Sequence, residues 1–187
     1  MRDTTLAGAV IGTDSILKKA ALVLGGTLFI AIAAQVSVPF FPVPMTLQTL
    51  AVLIVGLTFG ARLGAVTLVA YLAEGAMGLP VFANAMSAPA LVGPTAGFLF
   101  GFVAMAWLSG LAADRGLTRG VVSTALVAAG VSALLYIPGV AWLATFIGAG
   151  KAVFAGMVPF LLGDAIKAVI AAMVVWGGWK ALQARKG

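Results

Sequence analysis

The chain has 187 residues, 63% of them hydrophobic and 9% charged, with a mean hydropathy of +1.17 and a formal net charge of +6. That is more apolar surface than a soluble core of this size can hide, so the composition indicates a polytopic membrane protein with no room for a separate catalytic domain. Absence of Cys and His excludes disulfides, thiol and imidazole chemistry and most zinc sites, and the basic excess is read as membrane topology and contact with lipid head groups, not nucleic-acid binding.

Residues 1–15 are expected to form a polar N-terminal tail, followed by a single membrane domain over 16–187. Lys18-Lys19, the apolar run after them and Ala31-Ile32-Ala33 imitate a signal peptide. The run is kept as structure because it completes the charge pattern of the whole chain. The first helix is predicted over Ile16–Val38; its Ala21-x-x-x-Gly25 spacing suits either close packing or a docking stripe for a partner helix.

"VPFFPVPMTLQT", Val38 to Thr49, carries three prolines, so its backbone should run extended until a second helix starts near Thr46. That helix, Leu47–Phe59, and the third, Leu63–Gly78, are short for a bilayer of about 30 Å. Tyr71 and Glu74 lie near the outer end of the third, where interfacial and ligand-binding roles compete. The uncharged, Pro- and Gly-rich segment Gly78 to Gly97 reads as a lid over an apolar pocket or as a loop on the lipid surface.

Further spans are predicted over Thr95–Ala113, Val121–Phe146, with a kink at Pro138 and Trp142 in its outer half, and Met157–Leu182. Gly60-x-x-x-Gly64 and Gly97-x-x-x-Gly101 suit close helix packing. With the N-terminus inside, Arg2, Lys18, Lys19, Arg62, Arg115, Arg119, Lys180, Arg185 and Lys186 fall on the cytoplasmic side and Lys151 alone in an outer loop. This asymmetry predicts an all-α bundle of six transmembrane helices with both termini cytoplasmic.

Asp164 and Lys167, three positions apart, share one face of the last span. Each alone would cost about 2.5–3.5 kcal/mol at mid-membrane, so the pair is either a self-satisfied lock between helices or part of a ligand site. With Tyr71, Glu74 and Trp142 arriving from other helices on the same side, the residues suggest a small outward pocket. Such a pocket suits a mainly apolar solute carrying hydrogen-bond donors and acceptors.

The motifs "VPFFPVPMTLQTLAVLIVG", "YLAEGAMGLPVFA", "GPTAGFLFGF", "YIPGVAWL" and "PFLLGDAIKA" together resemble the biotin-specific substrate-binding (S) component of energy-coupling factor transporters, over about Ala33 to Ala168. The resemblance implies a six-helix S component of the prokaryotic cytoplasmic (inner) membrane. It would bind biotin as a transported ligand, with no cofactor, and dock on a coupling module of one transmembrane protein and two ATPases. It also implies that Asp164 and Lys167 contact the ureido ring, that Pro42, Pro44, Thr46 and Gln48 correspond to the family's first-loop motif, and that Trp142 covers the rest of the ligand. Asn84 can add a polar contact, although Asn84 to Ala90 lacks the family's Gly-rich stretch and Phe98 stands where the family has Tyr.

No Gly-x-x-x-x-Gly-Lys-Ser/Thr loop occurs, so ATP hydrolysis would fall to a partner. An intramembrane transferase is disfavoured because Asp3, Asp14, Glu74, Asp114 and Asp164 are dispersed along the chain, and the protein is read as a non-enzyme. A carrier for another small vitamin, or a proton-coupled carrier acting through Asp164, stays open as an alternative.

Overall fold

The computed structural model describes residues 5–12 and 15–185. In chain order the helices are α1 (Leu6–Ile11), α2 (Ile16–Gln35), α3 (Gln48–Phe59), α4 (Ala61–Ala76), α5 (Ala96–Asp114), α6 (Val121–Ile147), α7 (Ala149–Gly156) and α8 (Leu161–Ala184). Between α2 and α3, strands β1 (Ser37–Val38) and β2 (Met45–Thr46) form a small antiparallel ladder pairing Ser37 with Thr46 and Val38 with Met45. The fold is all-α apart from this hairpin.

The stretches Ile16–Gln35, Ala96–Asp114, Val121–Ile147 and Ala149–Ala184 are long and apolar enough to cross a membrane. With 12 residues, α3 is only about 18 Å long at 1.5 Å per residue. It packs inside the bundle, where Val52, Leu53 and Val55 are buried. The central helix is α5, which packs against α3, α4 and α6, while α6 also packs on α8.

Close approach of α5 to α6 depends on missing side chains. A Cβ at Gly101 would stand 2.7 Å from Leu135 Cδ1 and 3.1 Å from Pro138 Cγ, so the Gly97-x-x-x-Gly101 spacing marks a true contact face. Gly60, at φ 85°, makes the sharp turn from α3 into α4. Asp114, from the end of α5, then accepts the Ala61 backbone N–H at 3.0 Å and so satisfies an otherwise unpaired donor at the start of α4.

Several expectations shift. Within the expected tail, Leu6–Ile11 is helical and Ala7 and Gly8 are buried, because this segment is apolar and packs near α3 and α8; Asp14 and residues 1–4 lie outside the described residues. The first span ends at Gln35 rather than Val38, since Val36 to Val38 leave the helix to enter the hairpin. The segment before the last span contains α7 and a 3-10 turn at Val158–Phe160, so α8 begins at Leu161 rather than Met157. Through Pro138, α6 continues as one helix.

A buried polar floor under an apolar, strapped cavity

Helices α3, α5, α6 and α8, together with the hairpin loop and the segment 77–95, enclose a cavity of about 260 Å³. Its walls are apolar and aromatic, including Phe82, Phe98, Phe102, Leu135 and Phe160. Phe40 reaches over from the hairpin tip to Phe160, with ring centroids 6.2 Å apart.

Asp164 and Lys167 form its floor. They are only 5% and 7% exposed, and Lys167 Nζ donates to Asp164 Oδ1 at 3.0 Å. The same carboxylate oxygen accepts the Thr49 hydroxyl from α3 at 3.0 Å, and Oδ2 accepts the Tyr136 hydroxyl from α6 at 2.5 Å. Lys167 Nζ also donates to Thr49 Oγ1 at 3.0 Å. Asp164 sits in the first turn of α8, where the helix dipole favours an anion. Burial of two charges is tolerated here because they pair and nearly every remaining site is bonded.

That bonding sets what the floor can offer. A carboxylate has about four lone-pair sites and an ammonium three donors. Three donors already reach Asp164, and Lys167 uses two of its own. One acceptor site and one donor therefore remain. A ligand needing more must make the Thr49 or Tyr136 hydroxyl rotate away.

A second polar layer holds Gln48 in place. Gln48 Nε2 donates to Tyr71 Oη at 2.7 Å, and Tyr71 donates onward to the Val81 carbonyl at 2.8 Å. Thr46 donates to Gln48 Oε1 at 3.2 Å while its hydroxyl oxygen accepts the Gln48 backbone N–H at 3.1 Å. Tyr71 is fully buried and meets Phe82 edge to face at 5.3 Å, so it ties the covering segment to α3 and α4.

The covering segment is strapped on two sides. From the end of α2, Gln35 Nε2 donates to the Phe82 carbonyl at 3.0 Å and Oε1 accepts the Ala85 N–H at 3.0 Å. From α6, Trp142 Nε1 donates to the Gly93 carbonyl at 2.9 Å. Asn84 and Ala85 sit at φ 57° and 55°, with Asn84 Oδ1 accepting from Ser37. An asparagine tolerates this left-handed backbone; an alanine is strained by it.

Of the residues singled out in the sequence, Asp164, Lys167, Gln48, Thr46, Pro44 and Asn84 line the cavity. Tyr71 stands behind Gln48 as a support, and Trp142, 39% exposed, braces the lid from outside. Glu74 lies on α4 away from the lining. Thr49 and Tyr136 went unrecognised, although a hydroxyl inside an apolar span is the kind of signal that singled out Asp164. Phe82, Phe98, Phe102 and Phe160 carry no signal that separates them from other apolar residues of the spans.

Comparison with known proteins gives consistent matches. A model of the BioY family matches residues 4–184. The chain is 40% identical over 152 residues to the biotin transporter BioY of Thermotoga maritima, covering 79% of this chain and 88% of that one. It is 36% identical over 151 residues to the probable biotin transporter BioY of Pyrococcus horikoshii, covering 79% and 89%. A crystal structure of the S-component for biotin from an ECF-type ABC transporter superposes with a TM-score of 0.75 at 23% identity, covering 91% of this chain and 92% of that one, which shows a shared fold.

Proposed function

The chain belongs to the BioY family, and from that premise we propose that it captures biotin in the strapped cavity and serves biotin uptake across a membrane as an S component, not as an enzyme. The observation that carries this reading is the Asp164–Lys167 floor, an acceptor beside a donor beneath apolar walls. Biotin's ureido ring presents two N–H donors and one carbonyl oxygen, and its thioether ring is apolar. Asp164 accepts N–H and Lys167 donates to the carbonyl, each charge-assisted bond contributing about 1.5–3 kcal/mol net.

The near-saturated floor adds a mechanism. For Asp164 to accept more than one donor from the ligand, the Tyr136 or Thr49 hydroxyl gives up its bond to the carboxylate. The charge pair thereby stays compensated in the empty and loaded states. Gln48, Thr46, Pro44 and Asn84 contact the ligand from the rim, while Tyr71 and Trp142 position the loops.

Basic residues support an orientation. Lys18, Lys19, Arg62, Arg115, Lys180 and Arg185 lie at or near helix ends opposite the cavity, Arg119 lies in the turn between α5 and α6 on the same side, and Lys151 lies on the cavity side. By the preference of Lys and Arg for the cytoplasmic side, the cavity faces outward and both termini lie in the cytoplasm, with six spans. Active uptake then requires a coupling module with a transmembrane protein and ATPases. Equilibrium binding of labelled biotin to the purified protein in detergent tests the reading: saturable one-site binding supports it, and no binding overturns it.

A further inference from the structure

The floor of the cavity cannot serve an acid group as well as a ureido ring. Asp164 and Lys167 are the charged residues of its lining, and they neutralise each other. A carboxylate left among Phe98, Phe102 and Phe160 would be desolvated without a partner. Biotin carries its carboxylate at the far end of a flexible chain, so that group must leave the cavity or meet a cation at its edge.

The structure contains a place for it. A second, more open groove lies beside the first and shares Phe41 and Pro42 with it as a common wall. Ile147, Phe154 and Lys151 complete its sides. Lys151 is exposed and makes no hydrogen bond or ion pair among the described residues, unlike Lys167, which is held by Asp164 and Thr49. The groove thus offers an open apolar surface for a hydrocarbon chain, lined in part by the stem of Lys151, whose exposed, flexible side chain can bring its ammonium to an anion at the groove's edge.

Building on the biotin reading, we propose that this groove is the carboxylate subsite: the acyl chain passes the Phe41–Pro42 wall and Lys151 pairs with its acid group. Lys151 would then determine specificity for the free acid over neutral derivatives. A lysine of this kind also explains why a cation stands on the cavity side, against the charge asymmetry of the rest of the chain.

The test compares biotin with biotin amide, which keeps the ring and chain but lacks the charge, on wild type, Lys151→Gln, Lys151→Glu and Lys151→Arg in detergent. The expected result is a roughly three- to tenfold loss of biotin affinity in Lys151→Gln, a larger one in Lys151→Glu, recovery in Lys151→Arg, and amide binding unchanged throughout, the size being that of a partly solvated charge pair. Wild-type binding of biotin that Lys151→Gln leaves intact, or weakens equally for acid and amide, overturns the carboxylate subsite alone. Absence of binding of either ligand to wild type overturns the biotin reading as well.

Discussion

Tyr136 on α6 places its hydroxyl 2.5 Å from Asp164 Oδ2 on α8, so the cavity floor is closed by a tyrosine from a different helix. The hydroxyl satisfies a buried carboxylate oxygen in the empty protein and competes there with any N–H donor from a ligand.

Removing that hydroxyl separates the two roles. Tyr136→Phe is expected to destabilise the empty protein by about 1–3 kcal/mol, the cost of an unsatisfied buried partner. Biotin then supplies the missing donor, so the rise in thermal midpoint on adding biotin should exceed that of wild type. Thermal unfolding in detergent with and without biotin checks it; an unchanged rise would show that the hydroxyl does not compete with the ligand, and a smaller one that the hydroxyl itself holds it.

Asp164→Asn and Lys167→Ala each leave the other charge buried without its partner. Both are expected to weaken biotin binding at least about tenfold, equivalent to about 1.4 kcal/mol, and to lower stability by several kcal/mol, with about 3–5 typical of a broken buried pair. Because the residues act together, Asp164→Asn combined with Lys167→Ala should cost less stability than the sum of the two single changes. Additive losses would mean the pair is not coupled.

Gln35→Ala removes both α2 bonds to the covering segment, at the Phe82 carbonyl and the Ala85 N–H. Gln35 itself does not line the cavity. The expected outcome is faster release of bound biotin, by about tenfold for two bonds of about 0.5–1.5 kcal/mol each, with little change in association. Chase of labelled biotin by excess unlabelled ligand measures the release rate, and an unaltered rate would argue that the strap does not gate exit.

Ser132 Oγ is buried on α6 with no hydrogen-bond partner among the described residues. Ser132→Ala should therefore preserve biotin binding and leave the thermal midpoint equal or higher, since an unsatisfied hydroxyl costs about 1–3 kcal/mol. A clear drop in stability would reveal a bond that the hydroxyl makes in the membrane protein as purified.

Local chemistry carries the parts of this protein that its sequence determines. Runs of apolar residues specify helices whatever surrounds them, so the predicted spans Val121–Phe146 and Thr95–Ala113 differ from α6 and α5 by a residue or so at their ends. An acid and a base at i and i+3 must share a helix face, so the Asp164–Lys167 pair was legible without any knowledge of neighbours. Three prolines forbid a helix in the first loop, though not which strands pair around it.

Tertiary structure decided which faces turn inward. In a soluble protein polar residues mark the outer face of a helix, but here the helices are apolar all round, and lipid and core accept the same side chains. Trp142 and Tyr136 look alike as aromatics on α6, yet one braces the lid from outside and the other bonds Asp164. Thr49 comes to the floor from 115 positions away, and Leu6–Ile11 docks near the other end of the bundle from an expected tail. Only the packing of α3 and α6 against α8, set by small residues and complementary shape, brings the hydroxyls of Thr49 and Tyr136 to a carboxylate that the sequence had already placed.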